Sequence, residues 1–393
     1  MEAVRCCLAA ILLLLVAVPP QAQAPTPVAG VVFDDANKNG RRDAGEQGLG
    51  GVVVSNQHEV VQTAADGTYT LPSAGSGVVF VSVPSGFGSV GHFWQTAPSP
   101  ASGARADFAL AARQSSGTFN FIHASDTHVS KESVARLQQL RGIVEARRPD
   151  FVLVTGDLVR DALRVGEEEA RGYYDLYTEE TRRFPVPVWS VPGNHENFGI
   201  ERHLSLVSRS HPLYGKGMYR QRLGPNYYSF TYGDVHFVGL DSVDIADLWY
   251  YGHIDPEQLA WLRADLARLP AGTPVVTFNH IPFVSAVEAL DGYRDDGPAP
   301  TLIKVGDRTV FRHVVSNFKE VMPILQTRDW VLALGGHFHT RESIHYASAV
   351  RTRFHQAAAV VGPTTNVVPA ISGVTFYQVK NRVIDDGEFI PLR

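Results

Sequence analysis

Cysteine is almost absent from this chain. The only two, Cys6 and Cys7, lie within the first 24 residues, so we expect neither a disulfide nor a free thiol beyond that segment. This excludes a disulfide-stapled scaffold and a thiolate metal site. Stability must instead come from packing, bound metals and the size of the chain.

Charged residues and long apolar runs are also scarce. Charged residues make up 19% of the 393 and hydrophobic residues 44%, which is typical of a globular chain. The formal net charge of -5 does not indicate binding to nucleic acid or to an anionic membrane. A local basic patch is still compatible with this net charge. The length favours about two domains.

Residues 1–24 have the pattern of a secretory signal peptide. Arg5 provides a positive start, residues 8–18 form an apolar run too short to span a bilayer, and Ala22-Gln23-Ala24 is a small-residue cleavage site. An uncleaved interfacial anchor is the alternative. We expect cleavage, no transmembrane segment afterwards, and a secreted or periplasmic protein.

Five apolar runs downstream are each followed by Asp, Asn or His. Such runs are typical of buried strands, and open α/β sheets place their sites at the carboxyl ends of strands. The recurrence predicts a shared metal site. The runs are residues 119–122 before Asp126 and His128, 151–154 before Asp157, 185–191 before Asn194 and His195, 274–278 before His280, and 330–334 before His337 and His339.

Together, these five blocks resemble the signature of the calcineurin-like metallophosphoesterases over residues 117–380. The resemblance implies an α/β fold with two facing β-sheets flanked by helices, a four-layer sandwich. It also implies a two-metal site with no ligand position empty. Asp126, His128 and His339 would bind one metal, Asn194, His280 and His337 the other, and Asp157 would bridge them.

Carboxylate and amide oxygens mixed with imidazoles suit Mn, Fe or Zn. Two such cations about 3.5 to 4 Å apart can share a hydroxide for in-line attack and neutralise charge on a phosphoryl group. By the same resemblance, His195 would face the substrate and protonate the leaving oxygen, with Glu196 orienting its ring. A satisfied structural histidine is the alternative for His195.

The sequence pattern of the amino-terminal part predicts a small β-sandwich. Short alternating runs at residues 28–33, 51–55, 60–63, 69–71, 78–83 and 106–110 are separated by turn residues. A polar Gly/Ser stretch follows and predicts a linker. We therefore assign residues 25–112 to a β-domain, 113–117 to the linker and 118–393 to the phosphoesterase domain.

One loop of the β-domain matches the calcium-loop template without its flanking helices. Its ligand positions are Asp35, Asn37, Asn39, Arg41 through its carbonyl, Asp43 and Glu46. The stretch resembles the B-type repeats of serine-aspartate-repeat adhesins and the amino-terminal domain of some secreted phosphoesterases, so we expect a structural Ca²⁺. The alternative is an Asx-rich loop closed by its own hydrogen bonds.

Within residues 118–393, helical spacing marks residues 133–147, 255–269 and 314–325, and Gly233-Asp234 joins residues 227–232 and 235–240 as a hairpin. Later strands are predicted at residues 357–361 and 374–380, with further strands at Val383 and Phe389. Three long loops, residues 197–216, 244–253 and 286–297, are candidates for substrate contact.

The function expected is a secreted phosphoesterase acting on phosphate mono- or diesters as small substrates. Leu158 follows the Gly156-Asp157 pair where purple acid phosphatases have tyrosine, so no charge-transfer colour is expected. The alternative from another class is an inactive surface or matrix binding module on the same fold. A nuclease or lipid-directed hydrolase would share the chemistry and differ in the loops.

Overall fold

The computed structural model describes residues 26–97, 105–114, 117–293, 295–296, 300–347, 351–362 and 371–393. The predicted signal peptide lies outside these residues. The helices are α1 Val134–Arg147, α2 Glu167–Thr181, α3 Arg202–Ser205, α4 Gly217–Leu223, α5 Pro256–Leu266, α6 Val287–Asp291 and α7 Phe318–Leu325.

The described strands fall into an amino-terminal and a carboxyl-terminal group. The first group is β1 Val28–Asp34, β2 Val53–Ser55, β3 Val60–Gln62, β4 Thr68–Leu71, β5 Val78–Val81, β6 Phe87–Ser89, β7 Trp94–Thr96 and β8 Phe108–Ala112. The second is β9 Thr118–Ala124, β10 Phe151–Thr155, β11 Val188–Val191, β12 Tyr228–Tyr232, β13 Val235–Leu240, β14 Val243–Ala246, β15 Trp249–Gly252, β16 Pro274–Asn279, β17 Leu302–Val305, β18 Arg308–Phe311, β19 Asp329–Gly335, β20 Glu342–Ala347, β21 Arg351–Gln356, β22 Gly373–Lys380, β23 Val383–Ile384 and β24 Glu388–Pro391.

Two mixed sheets form the carboxyl-terminal part. In one, described strands run in the order β11-β10-β9-β22-β23 with β24 on β22, and in the other in the order β12-β13-β16-β19-β21-β20. Strands β9, β10 and β11 are parallel, as are β13, β16, β19 and β21. Parallel strands need both faces covered. Accordingly, every residue of β10 and β16 is buried.

The two sheets face each other across an aromatic core. Trp189 of the first sheet stacks on Phe230 of the second with ring centroids 4.2 Å apart, and Phe121 meets Phe237 edge to face at 5.6 Å. Helices α1 and α2 cover the outer face of the first sheet with buried residues such as Leu140 and Tyr174. The expected architecture of facing sheets flanked by helices is confirmed.

The amino-terminal strands form two sheets of their own, in the described orders β4-β1-β8-β6 and β3-β2-β5-β7. This confirms a β-rich region with the predicted sandwich arrangement; the strands β6 and β7 were not anticipated. The amino-terminal region packs directly on the carboxyl-terminal part at strand β12. The Thr231 N–H donates to the Val83 carbonyl at 2.9 Å, and the Tyr227 hydroxyl donates to the Gln57 carbonyl at 2.9 Å.

Some element boundaries differ from the sequence-based expectation. Residues 357–361 are not a strand: the backbone N–H groups of Val360 and Val361 donate to the carbonyls of Ser125 and Asp126, so this segment buttresses a loop. The strand β21 lies just before it. The predicted helix at residues 314–325 begins only at Phe318, because the side chain of Asn317 bonds the backbone of Ile254 instead.

Helix α2 was missed, although its first turn carries Glu167, Glu168 and Glu169, which favour the positive end of the helix dipole. The hairpin between β12 and β13 is confirmed, and so is the Asp255 cap of α5, whose carboxylate accepts the Gln258 N–H at 2.8 Å. Within the described part of the chain, no helix is both long and apolar enough to cross a membrane.

Candidate metal centre

The carboxyl ends of five strands meet at one place. Strands β9, β10 and β11 of the first sheet lead into Asp126, Asp157 and Asn194, and strands β16 and β19 of the second lead into His280 and His337. Because the sheets face each other, the loops from both reach the same cavity. All seven residues expected to bind metal are described, and the structure brings them together.

The first cluster consists of Asp126, His128 and His339, whose nearest donor atoms lie within 4.8 Å of one another. His339 Nε2 is 3.1 Å from Asp126 Oδ1 and 3.2 Å from His128 Nε2. Two imidazole nitrogens and a carboxylate oxygen that form such a triangle suit a shared cation, because adjacent ligands of a metal bound at about 2.1 Å lie about 3 Å apart.

The second cluster consists of Asp157, Asn194, His280 and His337. His280 Nε2 lies 3.0 Å from Asn194 Oδ1, 3.2 Å from Asp157 Oδ1 and 3.2 Å from His337 Nδ1. His280 Nδ1 is 2.8 Å from the Thr155 carbonyl. That contact places a ring hydrogen on Nδ1, so Nε2 is the nitrogen that faces the cluster.

Asp157 lies between the clusters. Its Oδ1 faces His280, while its Oδ2 is 3.6 Å from His128 Nε2. Gly193 permits this approach, because a Cβ there would lie 2.2 Å from Asp157 Oδ1. The arrangement is what a carboxylate shared by two sites requires.

Backbone strain is concentrated at the same residues. Five of the seven adopt positive φ, a region that costs free energy for residues other than glycine and clusters at functional sites. The values are 53° for Asp126, 38° for His128, 49° for Asp157, 78° for His337 and 55° for His339. The loops are therefore shaped to turn these side chains towards one another.

Electrostatics at the centre are dominated by burial and by Asp157. Burial alone would lower the pKa of His280, but the neighbouring Asp157 carboxylate raises that pKa to about 9. Burial lowers the pKa of His128 to about 4, which keeps its ring neutral. Burial, with Asp157 nearby, raises the pKa of Glu196 to about 8. Burial would raise the pKa of Asp126 and of Asp157, but the histidines beside them lower it, so both carboxylates stay ionised and can bind cations.

The residues present fit two metal ions by their own geometry. The carboxylate oxygens and ring nitrogens converge at ligand-to-ligand distances, and within the described residues the buried Asp126 Oδ1 has no polar partner within hydrogen-bonding distance besides the His339 ring nitrogen 3.1 Å away. A buried oxygen in that state is destabilising unless a positive charge satisfies it.

His195 stands beside the first cluster. Its backbone N–H donates to Asp157 Oδ1 at 2.9 Å, its ring lies 4.5 Å from the His128 ring, and its Nδ1 is 2.6 Å from the Arg160 carbonyl. The ring Nδ1–H therefore donates to that carbonyl. Nε2, 3.8 Å from Asp157 Oδ2, is left on the side of the metal cluster.

Glu196 does not orient the His195 ring, contrary to expectation. Its Oε1 accepts the backbone N–H groups of Leu158 at 2.8 Å and Val159 at 3.0 Å, and its Oε2 accepts the Gly193 N–H at 2.6 Å. The carboxylate points away from the cavity because three backbone donors need it there. Glu196 thus joins the loops that carry Asp157 and Asn194.

His313 was missed by sequence reasoning. It follows β18, outside every apolar block that ends in a polar residue, and its Nδ1 lies 2.7 Å from His337 Nε2. Tyr250 belongs to the candidate loop at residues 244–253, and its ring centroid is 5.9 Å from that of His337. No local sequence signal distinguishes His313, because its role depends on a long-range contact.

The three candidate substrate loops differ in form. Residues 244–253 make the β14–β15 hairpin beside the metal centre, while residues 197–216 contain α3. Residues 286–297 contain α6, and residues 294 and 297 lie outside the described part. The hairpin contacts the clusters through Tyr250 and His337. The loop at residues 197–216 contacts them through Asn197, whose backbone and side-chain N–H groups donate to the Asn194 carbonyl at 3.2 and 3.3 Å.

The candidate calcium loop is closed by hydrogen bonds. Asp35 accepts the N–H groups of Asn39 at 3.2 Å and Gly40 at 2.7 Å, and the side-chain amides of Asn37 and Asn39 each donate to Asp43 at 2.7 Å. Glu46 accepts the Ala36 and Asp43 N–H groups, and the Arg41 N–H donates to Asn39. The six positions share one turn, a geometry compatible with either sequence-based interpretation.

Comparison with known families matches the two parts of the chain separately. The family described as calcineurin-like phosphoesterase matches residues 119–341, and the family described as the N terminal of calcineurin-like phosphoesterase matches residues 36–113. The chain therefore belongs to the calcineurin-like phosphoesterases.

Two curated relatives are similar over shorter stretches. One, named a probable glycerophosphodiester phosphodiesterase, from Arcobacter nitrofigilis, is 26% identical over 37% of this chain and 46% of its own length. The other, named a probable cyclic nucleotide phosphodiesterase, from Rhodococcus erythropolis, is 26% identical over 58% of this chain and 66% of its own length. The chain thus spans less than two thirds of each relative.

Among solved structures, a dimetal phosphatase from Danio rerio is similar over 70% of this chain and 99% of its own, with 15% identity and a TM-score of 0.44.

Proposed function

We propose that the chain is a phosphoesterase that works with two transition-metal ions, Mn, Fe or Zn. The observation that carries the proposal is the pair of donor clusters sharing Asp157. Asp126, His128 and His339 would hold one ion, and Asn194, His280 and His337 the other. Family membership supports the same activity.

The metals would supply Lewis acidity, activating water and neutralising charge on the phosphoryl oxygens. The chain's own residues do the rest. Asp157 fixes the spacing of the two clusters. His195, held through Nδ1 by the Arg160 carbonyl, keeps a proton at Nε2 and delivers it to the leaving oxygen.

We propose phosphate diesters as the main substrates, with monoesters as the alternative. Support comes from the names of the two curated relatives, each of which is named a probable phosphodiesterase. The substrate would be a small ester, since the net charge of -5 offers little attraction for a long nucleic acid.

The proposal is tested by hydrolysis of a nitrophenyl phosphate monoester and the matching bis(nitrophenyl) diester, with Mn added and then with chelator. We expect turnover that chelator abolishes and a higher kcat/KM for the diester. A higher value for the monoester would reverse the proposed preference. No metal uptake and no turnover would favour the inactive binding module.

We also propose that residues 35–46 bind a structural Ca²⁺. Support comes from the six oxygen-bearing positions in one turn and from Asp35, which is fully buried. A bound ion stabilises the folded state by mass action, so the melting temperature should rise with calcium in the wild type and not in Asp35→Asn. Identical melting of calcium-loaded and calcium-free wild type would contradict the idea.

Export is proposed from the amino-terminal pattern alone. Mass spectrometry of the protein from its native host should then give a first residue just after Ala24. A mature chain that retains Met1 would contradict cleavage.

A further inference from the structure

Arg312 is a buried cation that has no ion-pair partner within the part of the chain that the structure describes. It follows β18 directly and precedes His313, and only 4% of its surface is exposed. Among the described residues, neither its Nε nor its Nη1 has a hydrogen-bond partner. A guanidinium carries five N–H donors and stays charged, so burying it without an acceptor is unfavourable.

Two aromatic rings hold this guanidinium in place. Its central carbon lies 4.7 Å from the centroid of Trp249 and 4.3 Å from that of Tyr250. The backbone is fixed as well, because the Arg312 N–H donates to the Thr301 carbonyl at 2.8 Å and its carbonyl accepts the Gly252 N–H at 2.9 Å. Ring faces attract the cation but satisfy none of its in-plane donors.

This group lies one aromatic ring away from the metal centre. The ring of Tyr250, which contacts the guanidinium, is 5.9 Å from that of His337 and 6.0 Å from that of His313. Trp249, the second ring against the guanidinium, is 37% exposed, and Phe311, the residue before Arg312, is 39% exposed. Arg312 is therefore next to the ring that contacts His337 and also next to side chains that face solvent.

We propose that Arg312 binds a second oxyanion of the substrate, a carboxylate or a further phosphate, while the phosphoryl group under attack occupies the metal centre. The inference rests on the proposed function and narrows the substrate to esters with an additional anionic group. A planar, preorganised guanidinium is suited to such an oxyanion, which would supply the missing acceptors.

The test is calorimetric binding of three non-hydrolysable probes to the metal-loaded protein: ethylphosphonate, 3-phosphonopropionate and ethane-1,2-diphosphonate. The second probe adds a carboxylate to the first, and the third adds a phosphonate. Wild type should bind 3-phosphonopropionate or ethane-1,2-diphosphonate, or both, about ten- to a hundred-fold more tightly than ethylphosphonate. This is the range expected of a charged hydrogen bond. The probe whose affinity exceeds that of ethylphosphonate shows whether the second oxyanion is a carboxylate or a phosphate.

Arg312→Met should lose this preference while still binding ethylphosphonate. Arg308→Met is the matched control: it removes the same charge from the exposed end of the same hairpin and should keep the preference. Arg312→Lys retains the charge without the planar fork and should keep part of it, which covers the case in which the methionine variant does not fold.

Three outcomes are distinguishable. A preference that persists in Arg312→Met, or that is absent from wild type, would overturn the inference and leave the proposed function standing. Equal weakening of all three probes in Arg312→Met would place Arg312 on the attacked phosphoryl group instead, which also overturns it. Failure of metal-loaded wild type to bind any phosphonate would count against the proposed function itself.

Discussion

His313 Nδ1 lies 2.7 Å from His337 Nε2, so a residue that follows the β17–β18 hairpin holds the ring of a candidate metal ligand that follows β19. The opposite nitrogen of His337 faces His280 at 3.2 Å. A second imidazole that fixes the tautomer and direction of a ligand contributes to metal affinity without touching the metal.

His313→Ala should therefore weaken binding of one metal by about 10- to 100-fold. Competition with a chromogenic chelator measures this directly. His203→Ala, which changes an exposed histidine on α3, is the control and should bind both metals as wild type does. Unchanged affinity in His313→Ala would show that the contact does not position His337.

Asp157→Asn should lower the metal content of the protein below two ions per chain and abolish nearly all turnover, because both clusters lose the carboxylate they share. Elemental analysis of the purified variant gives the metal content. Asp175→Asn, at an exposed ion pair with Arg222, should change neither quantity. Retention of two tightly bound ions in Asp157→Asn would mean that Asp157 is not shared.

His195→Ala should keep both metals and lower kcat by about 10²- to 10⁴-fold, the usual contribution of a general acid. The loss should shrink for esters with a better leaving group, because these need less protonation. Metal content and kcat are measured on the same preparation. If the variant lost its metals, His195 would be a ligand and not an acid.

Glu196→Gln should destabilise the fold, since the amide that replaces one carboxylate oxygen cannot accept the backbone N–H groups directed at it. We expect the free energy of unfolding to fall by about 1 to 3 kcal/mol, measured by denaturant titration. Metal affinity should fall with it because the loops of Asp157 and Asn194 loosen. Glu168→Gln, exposed on α2, serves as control. A stable variant with only slower turnover would restore a role on His195.

Metal binding should release protons. In the metal-free protein Asp157 raises the pKa of His280 to about 9, so this ring is protonated at neutral pH and must lose its proton to bind a cation. Affinity should consequently fall as the pH drops below about 9. Calorimetry in buffers of different ionisation enthalpy counts the protons released, and a count of zero at pH 7.5 would contradict the raised pKa.

The five blocks could be recognised in the sequence because each is local. An apolar run followed within a few residues by Asp, Asn or His requires no knowledge of the partner strands, and β9, β10, β11, β16 and β19 formed where those runs lie. Burial on both faces makes such strands nearly continuous in apolar residues, which is why their existence and type were predictable.

What the sequence by itself determined is the set of donor atoms and the strands that carry them. Only the tertiary structure decided which donors face each other and that Glu196 bonds Leu158 and Gly193 instead of the His195 ring. It also decided that His313 contacts His337 and that Arg312 packs on Tyr250. The physical reason is distance along the chain. Contacts between facing sheets join residues far apart in sequence, and no local pattern encodes the direction of a side chain across that gap.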